Sequence, residues 1–537
     1  MNSPARLAAA ALLVIVLAGC QAETSESTDS SSAPPAASPP AGQPADVPPP
    51  LMPAMPLPEN AVDNAVAALD GLVEDLMTKS GIPGMAVAVV HGSDTVYAKG
   101  FGVKNVDLPD TEDNRIDADT VFQLASLSKS ISATVVAQQI GRNGLSWDTP
   151  IVSKLPWFAL SDPVVTPMVT VGDMFSHRSG LPDHAGDKLE ELGYDRRYIL
   201  ERLSDFPLDP FRISYAYTNF GLTAGAEAVA ANAGKSWEDL TREALLAPLG
   251  MTSTSYQFSD WVARPDRAVG HIHVDGHYAP QYVRDPQPQS PAGGVSSSVN
   301  DMTRWLAFVL ADGEHDGKQL VDPKALLPAL TPQVVSDRAP EPAARSGTYG
   351  YGFNVGTTSG ARMQLSHSGA FELGAGTNFL ILPSADVAIV ALTNATPSGV
   401  AETLTAEFAD LVQFGKIRED WWGLYRKPFE QMQQPVGELV GKQPPPNAAP
   451  PQPLSSYVGV YRNDFWGPAT VTERDGALEL TLGPKGVYQL KPWDGDVFTF
   501  SFVSENAPPG TVSQATFDGD RLTLEYFDDE GYGEFFR

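Results

Sequence analysis

Cysteine is all but absent from this chain of 537 residues, which holds one, Cys20. That count excludes an internal disulfide and any cysteine-based zinc site. Positive charge is scarce too, with 36 Lys and Arg against 65 Asp and Glu and a net charge of −29. Binding nucleic acid requires cations that displace counterions from phosphate, so a surface this acidic argues against that class of partner. Beyond the first 20 residues no apolar run reaches the length of about 20 residues that a bilayer span needs. From Gln21 to Pro58 there is no Lys or Arg, and eleven prolines occur. Such a stretch cannot bury a core, and residues 20–58 read as a solvated tether.

What is present begins with an export signal. Arg6 precedes an apolar run from Leu7 to Leu17, and Leu17-Ala18-Gly19-Cys20 follows. A short run ending in small residues reads as a cleaved signal over residues 1–19. Its ending resembles the bacterial lipobox. That resemblance implies cleavage before Cys20, lipid on its thiol and attachment to a membrane, so that the chain would be an exported bacterial lipoprotein. In a Gram-negative source, Gln21 rather than Asp after the cysteine favours the outer membrane, facing the periplasm.

The length allows two or three domains. Val62, Val66, Leu69, Val73, Leu76 and Met77 recur at helical spacing until Gly81-Ile82-Pro83-Gly84 stops them. Met85 to Val90 and Thr95 to Phe101 predict a β-hairpin. The stretch from Val121 to Leu249 is mainly helical in pattern. Strand character returns at Tyr349 to Val355, Met363 to His367, Thr377 to Leu382 and Val387 to Thr393, and a helix-like stretch runs from Val400 to Phe414. The economical arrangement is an α/β (α+β) body over 59–430, with one antiparallel sheet drawn from both ends and a helical insert. A linker, 431–453, contains the proline-rich Pro444 to Pro453. Residues 454–537 alternate polar and apolar, as from Leu522 to Phe527, and carry Asp475-Gly476, Asp494-Gly495 and Asp518-Gly519 as turns. They predict a small antiparallel β-barrel, lipocalin-like in kind.

Three short motifs can carry chemistry. Ser126-Leu127-Ser128-Lys129 heads an apolar helical run, and residues three apart share a helix face. Serine is a weak nucleophile unless a base takes its proton, and a desolvated lysine can be that base. Among all the lysines, only Lys129 has a serine three residues before it. Tyr217-Thr218-Asn219 offers a phenol whose pKa nearby ammonium groups can lower, making it a proton shuttle, and an amide able to hold a substrate carbonyl. Tyr461-Arg462-Asn463 has the same spacing on a strand pattern of the barrel and reads as structural. In His367-Ser368-Gly369-Ala370, Gly369 lets the backbone approach a ligand closely. His-x-Gly recurs at His184 and His315 without the flanking strands. The backbone N–H groups of Ser126 and Ala370 can form an oxyanion hole.

In this order the motifs resemble those of the class C β-lactamase and penicillin-binding protein-like serine hydrolases. Phe175-Ser176-His177-Arg178-Ser179-Gly180-Leu181-Pro182, Pro248-Leu249-Gly250-Met251, Ala292-Gly293-Gly294-Val295 with Asp301, and Leu392-Thr393-Asn394 agree with it. The resemblance covers Glu59 to about Glu430. It implies Ser126 as the acyl-forming nucleophile, Lys129 as its base or hydrogen-bond organiser and Tyr217 as the group that takes and returns the leaving-group proton. Asn219 would orient the substrate amide, and Ser368, Gly369 and Ala370 would line the substrate strand. Where β-lactamases of this type carry Lys, this chain has His367. A histidine of ordinary pKa, ~6.5, is about a quarter charged at pH 7. It is a poor stand-in for a permanent cation awaiting a β-lactam or D-Ala-D-Ala carboxylate. Histidine here is similar to D-aminopeptidases and, more widely, linearised-microcystin hydrolases, and it could share proton transfer with Tyr217.

The expected function is an envelope-anchored serine hydrolase working through an acyl-enzyme on D-residue-containing or modified peptides. The alternatives are a carboxylesterase, a β-lactamase or D-Ala-D-Ala carboxypeptidase, and a non-catalytic wall-binding lipoprotein. The expected partner is a small-molecule or short peptide substrate, with no cofactor. His271, His273 and His277 lie close together beside Asp275 and read as a polar loop near the cleft rather than a metal site, and His177 and His184 as solvated or supporting residues. Neither the oligomeric state nor the role of the barrel is written in the sequence.

Overall fold

The computed structural model describes residues 55–529 and 531–537. Cys20, the signal and most of the tether lie outside them. Val62, Ala65, Leu69, Val73 and Leu76 form the buried stripe of helix α1 (Ala61–Ser80). Gly81 ends it in the left-handed region at φ 69°, its N–H bonded to the Met77 carbonyl. Strands β1 (Gly84–His91) and β2 (Asp94–Gly102) follow as the expected hairpin. The insert contains helices α2 (Leu127–Gln139), α3 (Asn219–Ala233) and α4 (Val299–Leu310).

The chain then returns to the sheet with β3 (Val334–Asp337), β4 (Gly347–Tyr349), β5 (Asn354–Thr357), β6 (Met363–Phe371), β7 (Ala375–Leu382) and β8 (Val387–Thr393). The eight strands lie in the order β2-β1-β8-β7-β6-β5-β4-β3, and all pair antiparallel. β1 pairs with β8 from Met85 opposite Thr393 to His91 opposite Val387, so both ends of the body meet in one sheet. Alternate residues face opposite sides. Val87, Val89, Ile389 and Ala391 pack against α1 and α5 (Val400–Phe414). Ala86, Ala88, Val90, Val390 and Leu392 join the core of the insert. Burial on both faces is why β1 and β8 read as nearly unbroken apolar runs.

Two stretches of the body depart from their pattern. Tyr349 to Val355 is a hairpin rather than one strand, because the chain turns at Gly350 to Gly352. Gly352 has φ 76°, and a Cβ there would come within 2.5 Å of the Lys129 carbonyl. β6 continues four residues past His367, which places that histidine inside a strand.

After α6 (Trp421–Met432) comes the barrel: β9 (Gly459–Tyr461), β10 (Ala469–Arg474), β11 (Ala477–Leu482), β12 (Gly486–Asp494), β13 (Val497–Ser501), β14 (Val512–Asp518), β15 (Arg521–Leu524) and β16 (Glu534–Phe536). Each strand pairs with the next, and a bridge between Arg462 and Phe536 nearly closes the ring. Asp475 and Gly476 both have positive φ, 52° and 77°, as a two-residue hairpin turn requires. The predicted strand at Leu522 to Phe527 stops at Leu524. There a 3-10 turn, Glu525–Phe527, carries Tyr526 and Phe527 into the packing. Among the described residues no helix is long and apolar enough to cross a membrane.

Candidate active site

Ala125, fully buried, has φ 48°. For a residue with a Cβ this is a strained conformation, and it presents the next residue at the start of a helix. Ser126 is the N-cap of α2 and keeps partial exposure. One turn on, the fully buried Lys129 donates from Nζ to Ser126 Oγ (3.0 Å), Asn219 Oδ1 (2.7 Å) and the Ala292 carbonyl (3.0 Å). Burial lowers its pKa to about 7, against the opposing pull of Asp187. Near neutral pH a large fraction is therefore free amine, able to accept the Ser126 proton.

The Lys129 ammonium lies 4.5 Å from the centre of the Tyr217 ring. Burial nevertheless raises the phenol's pKa above its ordinary value, and the Ser126 hydroxyl offsets only part of this. The lowered pKa expected from sequence is corrected: desolvation outweighs the neighbouring cation. Tyr217 stays a neutral O–H, buried and, among the described residues, without a partner in hydrogen-bonding geometry. The two environments push the lysine and the phenol apart, which suits the first to accept a proton and the second to hold one.

His367 is buried, and its pKa falls to about 3 through burial first and the Lys129 charge second. It is neutral rather than a quarter charged. Nδ1–H donates to the Ser368 carbonyl (2.7 Å), so Nε2 accepts from the Tyr349 hydroxyl (2.9 Å). Its ring centre is 6.3 Å from that of Tyr217, and its accepting nitrogen is committed to Tyr349. His177, expected as solvated or supporting, is buried between Tyr217 (4.5 Å) and Tyr349 (5.2 Å). Its Nδ1 accepts from the Thr218 N–H (3.2 Å), and burial holds its pKa well below the ordinary value.

The remaining expected residues separate. Neighbouring β5 pairs only with Met363 to Ser366, so among the described residues the outer edge of β6 from His367 to Phe371 has no strand partner. That edge, with Ala370 on it, is available to an extended substrate. Ser368 points to the other face, where Asn378 Nδ2 donates to its hydroxyl (3.0 Å), so its side chain is not a substrate group. At Gly369 an added Cβ would meet Thr377 Oγ1 at 2.2 Å and the Leu124 carbonyl at 2.3 Å. The glycine admits the segment before Ser126 rather than a ligand. His271 donates from Nδ1 to the Asn394 carbonyl (2.9 Å) and accepts at Nε2 from Val106 (3.2 Å), while His273 and His277 are exposed. Among the described residues, no three His, Cys, Asp or Glu are grouped to hold a metal ion.

Sequence reading missed Tyr349 and Asp187. Tyr349 sits at the end of β4, where pattern alone saw the start of a longer strand. Asp187 Oδ2 accepts from Asn219 Nδ2 (2.8 Å) and from His184 Nδ1 (2.7 Å). Its signal, an Asp three residues after His184, is too short to stand out.

A sheet packed between helices, with a serine at a helix start, a desolvated lysine one turn on and a Tyr-x-Asn and a β-strand edge facing them, defines an active-site serine hydrolase of the β-lactamase/transpeptidase fold. Comparison with known proteins agrees. Residues 69–414 match the β-lactamase family, and the chain belongs to it. Residues 443–527 match a domain of unknown function, DUF3471. The chain is 28% identical to an unguisins hydrolase from Aspergillus campestris over 424 residues, covering 74% of this chain and 75% of that one. It is 28% identical to penicillin-binding protein 4 of Amycolatopsis lactamdurans over 70% of this chain and 91% of the other. The octameric penicillin-binding protein homologue from Pyrococcus abyssi shares the fold, with TM-score 0.57 and 19% identity, over 88% of this chain and 100% of that one.

Proposed function

We propose that this serine hydrolase is a peptidase or amidase acting through an acyl-enzyme on D-residue-containing or modified peptides. Ser126 is the nucleophile and Lys129 its base, with Tyr217 protonating the leaving amine. The N–H groups of Ser126 and Ala370 hold the oxyanion. The observation that carries the choice of substrate is the neutral His367, with Nε2 already occupied by Tyr349. No permanent cation stands at that place to hold the carboxylate of a β-lactam or a D-Ala-D-Ala end. The likeness to a D-aminopeptidase of Brucella anthropi, 27% identical over 57% of this chain and 55% of that one, supports a peptide or amide substrate.

An active-site serine probe is expected to label the protein at Ser126, with labelling lost in Ser126→Ala. A panel of D- and L-aminoacyl amides, short peptides, short-chain esters and a chromogenic β-lactam, run on wild type and His367→Lys, tests the substrate. Preference of the wild type for D-aminoacyl amides is the expected result. Preference for esters makes the protein a carboxylesterase, and preference for the β-lactam removes the argument from His367. Export and anchoring through lipid on Cys20 belong to the same proposal, and loss of incorporated palmitate in Cys20→Ala is its test.

A further inference from the structure

The helix Asp187–Glu191 is only five residues long, yet it touches both the active site and the barrel. At its start Asp187 accepts from Asn219, whose Oδ1 in turn accepts from Lys129. The Asp187 Oδ2 atom is the acceptor of that bond. Asp187 therefore fixes which way the Asn219 amide points, turning Nδ2 toward itself and Oδ1 toward Lys129. At the other end, Glu191 Oε1 accepts from Ser504 Oγ, Asn506 N and Asn506 Nδ2, each at 2.8 Å, and Oε2 accepts from the Tyr526 hydroxyl at 2.9 Å. Between them Lys188 Nζ donates to the Tyr526 carbonyl (2.6 Å) and pairs with Asp529 (2.5 Å). Glu505, the residue between Ser504 and Asn506, accepts the Glu372 N–H (2.8 Å) two residues past Ala370. One barrel segment thus grips both walls of the site.

We propose that the barrel is a working part of the active site, its Ser504 to Asn506 segment clamping Glu191 and so holding Asp187 as a positioning residue against Asn219. The inference rests on the serine-hydrolase reading and assigns a role to the domain that sequence comparison leaves without one. Lys129 is the group whose behaviour reports it. The charged or titratable groups acting on Lys129 are Asp187 from the helix, His184 beside it, Tyr217 and His177 from the facing loops and His367 from β6. Of these, Asp187 raises the lysine's proton affinity.

The test uses the full chain and measures the second-order rate of Ser126 labelling against pH, normalised by active-site titration so that unfolded protein does not count. Asp187→Asn is expected to slow labelling at least about tenfold at pH 7 and to move the acid limb to lower pH, within about one unit. The paired variant Ser504→Ala/Asn506→Ala is expected to shift the limb in the same direction by less. Glu191→Gln, which keeps an accepting Oε1, should stay near wild type, whereas Glu191→Ala should behave like the pair. Unchanged pH profiles in the pair and in Glu191→Ala, whatever their stability, would overturn the clamp. A wild type that is not labelled at Ser126 would instead remove the hydrolase reading beneath it.

Discussion

The molecule contains Tyr-x-Asn twice, and the two copies have opposite fates. In the barrel, the phenol and the amide of the motif are both used. The Tyr461 hydroxyl donates to the Tyr457 carbonyl (2.9 Å). Asn463 donates to the Tyr532 and Glu534 carbonyls and accepts from the N–H groups of Phe465 and Trp466. In the body, the Tyr217 hydroxyl is buried with no partner in hydrogen-bonding geometry among the described residues, and the Asn219 side chain bonds other side chains, a lysine and an aspartate, rather than backbone. A buried hydroxyl left open is unfavourable unless something else is gained. The lesson is that spacing selects neither copy, and what distinguishes them is which hydrogen bonds the fold leaves unmade.

The largest effect expected from this contrast is on rate. Tyr217→Phe removes a proton donor from the site and should lower amide turnover by about 100-fold or more, as loss of a general acid does. Thermal unfolding should hardly move, because the hydroxyl loses only a weak interaction with Ser126. If Tyr217→Phe instead lowers the melting temperature and spares the rate, the two copies are alike and the contrast fails.

The pH profile sharpens the body's side of it. Lys129, lowered to about 7 by burial, must be unprotonated to accept the Ser126 proton. The labelling rate should therefore fall about tenfold per pH unit below 7 and level off above it. His367, already neutral far below that range, should contribute no second limb there, so His367→Gln should keep the apparent pKa near 7. A limb that disappears in His367→Gln would transfer the base from Lys129 to the histidine.

Asn463→Ala breaks four bonds to backbone groups in the barrel. Stability should fall by about 2 kcal/mol, since partly exposed neighbours can turn to water. The rate per titrated active site should stay at the wild-type value.

Much of this was legible from residues alone. Both ends of the body announced their sheet because β1 and β8 are buried on both faces and so are apolar throughout. The Ser126 and Lys129 pair was visible because helical geometry converts a three-residue spacing into contact. What stayed hidden depends on distance in sequence. The partner of His367 is 18 residues away across a glycine turn, and Asp187 reaches Asn219 from 32 residues away. The Tyr217 prediction had the wrong sign because a sequence displays neighbouring charges but not the depth of burial that outweighs them.

The smallest expected effect probes the barrel copy most finely. Tyr461→Phe keeps the ring, which packs at 5.8 Å from Phe517 and lies under the Arg537 guanidinium at 5.5 Å. Only the bond to the Tyr457 carbonyl is lost, so stability should drop by about 1 kcal/mol, read as a small fall in the melting temperature. Tyr461 lies on β9, whereas the contacts with Glu191 come from residues 504, 506 and 526. The labelling rate at Ser126 and its pH limb should therefore be unchanged. A shifted limb in a folded Tyr461→Phe protein would mean that the barrel communicates with the site as a whole body rather than through one segment. The Tyr-x-Asn of the barrel would then no longer be structural in the simple sense that its satisfied hydrogen bonds imply.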